Sequence, residues 1–195
     1  MQSNPVQLQI ERTVRPRRIH VVLRLFLMLA LGTVSLGAFY WMAYLALPPL
    51  VALAILQRGA GRYHAEDAPR IVRGLRWLAG ACAYLSLLTD VPPTSEPGPV
   101  ELHVEVIDGT TPAAALLRLL YSLPALLLVV VLSALAGVLW LVGAIWILAV
   151  ERSPAFVGDF LALTLRTQLR LLAYHLSLVD VYPSLSEGPV VHAHT

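Results

Sequence analysis

Charge is scarce in this chain, and lysine is absent. Only 13% of its 195 residues are charged and 57% are hydrophobic, whereas roughly one quarter of a soluble domain is charged. So little charge cannot cover a water-facing surface, and the composition therefore predicts an integral membrane protein. The 14 basic residues are all arginine, and the net charge of +2 is too small to indicate nucleic acid as a partner.

Cysteine is scarce as well. Cys82 is the single cysteine, which excludes an internal disulfide framework and a metal site built from several cysteines. The chain also lacks a nucleophile-elbow motif, a phosphate-cradling glycine loop and a His-Glu-x-x-His zinc motif. We therefore expect no cofactor, no resident metal and no conventional enzyme.

The N-terminal region combines several arginines with a long apolar stretch, as a signal peptide does. Residues 21–56 contain a single charge, Arg24. This stretch is much longer than the apolar region of a signal peptide, which has about 7–15 residues. We therefore interpret it as a retained membrane anchor.

The chain repeats itself. The segments that begin at Pro5 and Pro99 match in proline, valine, leucine and glutamate. The later matches include Arg24 with Arg118, Arg62 with Arg152, Arg76 with Arg166, Tyr84 with Tyr174, Asp90 with Asp180 and Pro93 with Pro183. Such matches are uncommon by chance in so apolar a chain. The sequence therefore predicts a tandem duplication, with repeat 1 over residues 1–97, repeat 2 over 98–187 and the start of a third copy over 188–195.

Each repeat opens with an extended segment. Residues 6–11 and 100–106 follow a proline and alternate apolar and polar side chains, the pattern of a half-buried strand. Residues 190–194 are a weaker third example. A lone strand leaves backbone groups unsatisfied. We therefore expect these strands to pair with one another on one side of the membrane.

A long apolar run follows in each repeat, over residues 21–56 and 113–150. A straight helix over the first run would be roughly 54 Å long, against a hydrocarbon core of about 30 Å. Each run is therefore expected to break. Pro124 would separate a short interfacial helix from a spanning segment, the first repeat would break similarly, and Pro48-Pro49 would kink its helix.

The third part of each repeat, residues 69–90 and 155–180, has the length of a membrane crossing but carries several arginines. A buried arginine at the bilayer centre costs about 2.5–3.5 kcal/mol. The segment would therefore lie in the interface as an amphipathic helix or cross with its arginines facing protein. Two crossings per repeat bring the strands to one side, so we predict helix hairpins, four crossings in all and a mainly α-helical fold with short strands.

The ends of the repeats resemble a known family. The motifs are Leu88-Thr89-Asp90-Val91-Pro92-Pro93, Leu178-Val179-Asp180-Val181-Tyr182-Pro183, Gly61-Arg62-Tyr63, Arg76-Trp77 and Tyr84. They are similar to the bacterial membrane family known as domain of unknown function 4389, although Thr167 replaces the tryptophan in repeat 2. The resemblance covers most of both repeats and implies a protein of the bacterial inner membrane. The family has no established activity, so the resemblance implies an architecture and no site.

Seven polar residues, most of them matched between the repeats, are candidates for structural or lipid contacts. They are Arg76, Arg166, Arg170, Tyr84, Tyr174, Asp90 and Asp180. The arginines would reach lipid phosphates or position their helices, and Arg170, nearer the membrane centre, would need a partner. The two aspartates would bind a cation together or, as we favour, hydrogen-bond turn amides before the prolines that follow them.

Histidines offer a weaker case for chemistry. His103, His192 and His194 would supply three zinc ligands if their strands pair, but the last two lie near a chain end, where disorder is usual. His175 would carry protons or lie at the membrane interface, and its counterpart in repeat 1 is Leu85. We favour the structural interpretation for both groups.

The function that follows is a non-catalytic scaffold or accessory subunit, which acts by helix packing and strand pairing. Ser133, Gly137 and Gly143 are small residues that favour close helix contact, and exposed strand edges suit docking. The partners would be membrane lipid and either other membrane-protein subunits or a second copy of the chain. A small transporter or channel between the repeats is the alternative, and an intramembrane enzyme acting on lipid is the third.

Overall fold

The computed structural model describes residues 5–13, 16–32, 36–93, 98–106 and 109–183. Within these ranges 71% of the residues are helical, and they form six helices. The structure also contains a short two-stranded sheet. In chain order the elements are β1 (Val6–Ile10), α1 (Arg18–Gly32), α2 (Leu36–Arg58), α3 (Ala60–Leu85), β2 (Val100–Val104), α4 (Pro112–Tyr121), α5 (Leu123–Val150) and α6 (Ala155–His175). The predicted mainly α-helical fold with short strands is confirmed.

The two strands pair with each other, as the alternating patterns predicted. β1 and β2 are antiparallel, with Val6 opposite Val104, Leu8 opposite Leu102 and Ile10 opposite Val100. Their buried apolar side chains cover α3 and α6, while the polar residues between them face outward. The expected third strand, residues 190–194, lies outside the described residues.

The second apolar run breaks where proline predicted it. α4 begins at Pro112 behind Thr111, whose side-chain oxygen accepts a hydrogen bond from the Ala114 amide and caps the helix. It ends at Tyr121, and α5 begins at Leu123 with a proline in its first turn. In repeat 1, α1 ends at Gly32 and α2 begins at Leu36, and α2 continues through Pro48 and Pro49.

The helices form layers of different polarity. Helices α1, α2, α4 and α5, hereafter the apolar layer, leave many large hydrophobic side chains exposed. Examples are Phe26, Met42, Leu56, Leu120, Leu127 and Ile145. Helix α6 is buried along most of its length, since it packs against α5, α3 and β1. The sheet makes its main helix contacts with α3 and α6.

Helices α5 and α6 form the predicted hairpin. Near one end, a Cβ placed on Gly143 would lie 3.0 Å from Val157 Cγ1, and further along Gln168 Nε2 donates to Ser133 Oγ at 3.0 Å. Of the small residues expected in this contact, Ser133 and Gly143 thus take part. Gly137 faces open space.

Among the described residues, one helix is long and apolar enough to cross a bilayer by itself, and it is α5. Residues Tyr44–Arg58 of α2 and helix α3 meet the same criterion together, but the chain bends by 114° between them. Helix α6 is not apolar enough alone. The four crossings expected from the sequence therefore stay a prediction.

Candidate functional site

The helices α3 and α6 end in the same way, and these ends position the site. Leu87 and Ser177, each three residues before the aspartate, adopt left-handed φ values of 62° and 54°. The amides of Leu88 and Leu178 donate back to the carbonyls of Ala83 and Ala173, each at 3.1 Å. This is the hydrogen-bond pattern of a Schellman turn. It turns the chain so that the following aspartates face the apolar layer.

One aspartate meets a buried arginine of α1. Arg24 is fully buried, and its Nη2 donates to Asp90 Oδ1 at 2.8 Å and to the Thr89 carbonyl at 2.5 Å. Its guanidinium carbon lies 4.4 Å from the centre of the Tyr84 ring. Asp90 Oδ2 also accepts from the Arg17 amide at 2.8 Å. We call Arg24, Tyr84, Thr89 and Asp90 the first clamp.

The same arrangement recurs at α4. Arg118 Nη1 donates to the carbonyls of Val179 at 2.6 Å and Tyr174 at 3.0 Å, while Nη2 pairs with Asp180. The guanidinium carbon lies 4.9 Å from the centre of the Tyr174 ring. Arg118, Tyr174, Val179 and Asp180 form the second clamp. Each clamp ties an apolar-layer helix to the turn after a third helix of a repeat, with the charge paired as burial requires.

The clamps differ in more than one way. The first contains Thr89 where the second contains Val179. Arg118 Nη2 is also 3.5 Å from the hydroxyl of Thr110, and the residue that matches Thr110 in repeat 1 is Pro16, which has no donor or acceptor in its side chain. In the first clamp, Nε and Nη1 of Arg24 are buried without a hydrogen-bond partner among the described residues. The first clamp is therefore the less completely satisfied of the two.

A serine–histidine pair lies beside the second clamp. His175 Nε2 is 2.6 Å from Ser122 Oγ, which in turn donates to the Leu119 carbonyl at 3.1 Å. Ser122 lies in the break between α4 and α5, and both side chains are buried. The pair therefore joins α6 to this break and presents no reactive hydroxyl to solvent.

The structure brings four of the expected site residues into the clamps. Tyr84 and Asp90 lie together, as do Tyr174 and Asp180. The two aspartates lie beside opposite ends of α5, since Leu87 packs near Ile147 while Tyr182 bonds to Ala125. Residues 125 and 147 of one helix are roughly 33 Å apart. The two acids therefore do not share one cation site, and the amide that Asp90 binds belongs to Arg17 rather than to its own turn.

The three remaining arginines lie near the sheet and in the interior. Arg76 Nε donates to the Leu102 carbonyl of β2 at 3.0 Å. Arg166 and Arg170 are buried on α6. All three therefore contact or face protein, and the burial of Arg166 and Arg170 separates them from lipid.

Sequence reasoning did not select the arginines at the centre of the clamps. Arg24 and Arg118 are each the single charge within an apolar run, and they match in the repeat. An isolated charge in an apolar helix needs a partner. That signal indicates that each arginine needs a partner, but it does not indicate which residue supplies the partner.

The zinc site, over which we favoured a structural interpretation, falls only partly within the described part of the chain. His103 lies on β2 with its side chain exposed, and His192 and His194 lie outside the described residues. Across the described ranges, no three histidine, cysteine, aspartate or glutamate side chains are grouped to hold a metal ion.

Comparison with known proteins finds a family model that one part of the chain matches. Residues 112–186 match the family model described as Domain of unknown function (DUF4389). The match includes α4, α5, α6 and every residue of the second clamp, and it confirms the resemblance for this part of the chain. No curated protein and no solved structure matches the chain significantly.

Proposed function

We propose that the chain is a non-catalytic integral membrane protein that serves as a scaffold or accessory subunit. The observation that carries this proposal is the segregation of the surface. Large hydrophobic side chains are exposed across the apolar layer, whereas Gln9, Glu101 and His103 cover the outer face of the sheet. The apolar layer would lie in hydrocarbon and the sheet in water.

The extent of the exposed apolar surface supports a membrane location. Monomeric soluble proteins seldom expose contiguous apolar patches larger than a few hundred Å². Here exposed leucine, valine, isoleucine and phenylalanine side chains occur along four helices, and α5 has the length and composition of a membrane span. By the family resemblance, the membrane would be the bacterial inner membrane.

The paired contacts support two tandem copies related by a two-fold axis. The sheet is symmetric about the pair Leu8 and Leu102, which match in the repeat. β1 contacts α6 and β2 contacts α3, and each repeat supplies one clamp. An ancestral pair of identical subunits would make the same isologous contacts.

The clamps and the sheet support a structural role over a catalytic one. The ionisable groups of both clamps are used in ion pairs and in bonds to backbone carbonyls. Such pairing fixes the positions of the helices relative to one another. The outer edges of β1 and β2 would then be the docking elements, because a partner strand can extend the sheet there by main-chain hydrogen bonds. The partner would be another membrane-protein subunit or a second copy of the chain.

Cysteine labelling in intact membrane vesicles tests this arrangement. In a Cys82→Ser background, the variants Gln9→Cys and Glu101→Cys should react with a membrane-impermeant maleimide from the same side, because Gln9 and Glu101 are paired in the sheet. Leu127→Cys on the exposed face of α5 is the matched control and should react only after detergent is added. Labelling of positions 9 and 101 from opposite sides would contradict the arrangement.

Extraction and purification test the remaining parts of the proposal. The protein should stay in the membrane pellet at alkaline pH and leave it in mild detergent, and release by alkali alone would contradict integral insertion. A stoichiometric companion in mild detergent would support the accessory role. Ion flux in liposomes that is lost in Asp90→Asn or Asp180→Asn would replace that role with transport.

A further inference from the structure

Helix α3 presents a cationic face to the outside. Arg70, Arg73 and Trp77 are exposed and lie three and four residues apart, a spacing that places them on one side of a helix. Val72 and Leu75 are buried on the side that packs into the core. The arginines therefore do not face the interior, and Trp77, with 61% of its surface exposed, contributes a large aromatic ring to the same face.

Two further arginines extend this face at the corner between α2 and α3. Asp67 accepts hydrogen bonds from Arg58 Nη1 at 2.9 and 3.0 Å, and Arg70 Nη1 lies 3.6 Å from the same carboxylate. Arg62 is exposed on the first turn of α3. We call Arg58, Arg62, Arg70, Arg73 and Trp77 the arginine patch. The four guanidinium groups of the patch outnumber the two acidic side chains beside it, Glu66 and Asp67. The patch therefore keeps a net positive charge.

The arginine patch borders the apolar layer. The last turns of α2 expose Leu50, Leu53 and Leu56, and Arg58 ends the same helix. The chain then bends by 114° into α3. An apolar surface that ends in arginine and tryptophan is typical of the boundary between hydrocarbon and headgroups.

We propose that the arginine patch binds the headgroups of anionic phospholipids. This inference rests on the membrane location proposed above. A guanidinium group donates two parallel hydrogen bonds to a phosphate, and the net charge of the patch favours headgroups that carry an uncompensated negative charge. The exposed indole of Trp77 adds an aromatic contact to the same face. An acidic protein segment is the competing partner, and the position of the patch beside exposed leucines favours lipid.

Lipid retention by the full chain tests the proposal. The chain is reconstituted into nanodiscs of phosphatidylcholine with phosphatidylglycerol, re-extracted in mild detergent, and the phosphatidylglycerol bound per protein is measured by mass spectrometry. We expect enrichment of phosphatidylglycerol over the bulk lipid. In Arg70→Gln/Arg73→Gln the apparent affinity should fall by about fivefold for each arginine removed.

A matched control removes the same charge elsewhere. Arg18 and Arg152 are exposed, and Arg18 pairs with Glu151 after the C-terminal end of α5. Arg18→Gln/Arg152→Gln should keep the enrichment that Arg70→Gln/Arg73→Gln loses. Equal loss in both double variants, or no enrichment in the unmodified chain, would overturn the lipid site.

The failure of this inference is distinguishable from failure of the proposed function. A chain that resists alkaline extraction but shows no preference for phosphatidylglycerol keeps its membrane location and loses the lipid site. A chain that alkali releases loses both. Trp77→Ala is a second test of the lipid site. It should weaken the retention of phosphatidylglycerol, although it does not change the charge of the chain.

Discussion

Leu8 and Leu102 lie opposite each other at the centre of the antiparallel sheet, and each is the counterpart of the other in the sequence repeat. The flanking hydrogen bonds follow the same symmetry, because the Glu11 amide donates to the Pro99 carbonyl at 2.8 Å and the Glu105 amide to the Pro5 carbonyl at 2.9 Å. The sheet therefore joins the two halves of the chain about a local two-fold axis.

Replacing Arg118 should cost more stability than replacing its acidic partner. Arg118→Met leaves the carbonyls of Tyr174 and Val179 buried without a donor, which should lower the free energy of unfolding by about 2–4 kcal/mol. The side chain of Asp180 is 58% exposed, and Asp180→Asn leaves the buried Arg118 guanidinium without its counter-charge but with both carbonyl acceptors and an amide oxygen beside it, so this loss should be the smaller of the two. Denaturant titration in mild detergent measures the free energy of unfolding of both variants. Equal losses would contradict the inference that Arg118 stabilises the fold through its hydrogen bonds to the two carbonyls.

Removing the left-handed serine should stabilise the chain. Ser177 has a φ of 54°, which costs a non-glycine residue roughly 1 kcal/mol, and its buried hydroxyl has no hydrogen-bond partner in the described part of the chain. Ser177→Gly should raise the free energy of unfolding by about 1 kcal/mol. Leu87→Gly relieves the same strain but removes a side chain that packs against Val21 and Ile147, so its net effect should be a loss. Thermal unfolding of both variants tests these two predictions, since Tm should rise in Ser177→Gly and fall in Leu87→Gly.

The contact between α5 and α6 should be sensitive to one methyl group. In Gly143→Ala the added Cβ lies 3.0 Å from Val157 Cγ1 and 3.5 Å from Leu87 Cδ1, so crowding should lower stability by about 1 kcal/mol. Gly137 has no atom within 4 Å of such a Cβ, and Gly137→Ala should be neutral or stabilising by about 0.5–1 kcal/mol. If both variants behave alike in denaturant titration, the hairpin geometry is wrong.

Several features could be predicted because their causes are local. Pro124 predicted the start of α5, since a proline suits the first turn of a helix. Alternating apolar residues predicted β1 and β2, and the matched order of the repeats predicted that the two would meet. Both follow from residues that are close in sequence or repeated along it.

The clamps could not be predicted in the same way. Arg24 and Asp90 are separated by 66 positions, and they meet because the chain turns at Leu87, a residue type that gives no signal for a left-handed conformation. The burial of Arg166 and Arg170 likewise depends on the packing of α6 against α5, α3 and β1. Their charge alone indicated a lipid contact as readily as a protein contact.

By itself, the sequence determined which segments are apolar, where proline interrupts them and which residues recur in the two repeats, because composition and spacing are properties of the chain. Only the tertiary structure decided which charges become buried and which carbonyls and carboxylates surround them, since those environments arise from segments brought together over long separations. The arginines of this protein illustrate the difference. The same residue type is paired inside the clamps, donates a hydrogen bond to the sheet and lies exposed on one face of α3.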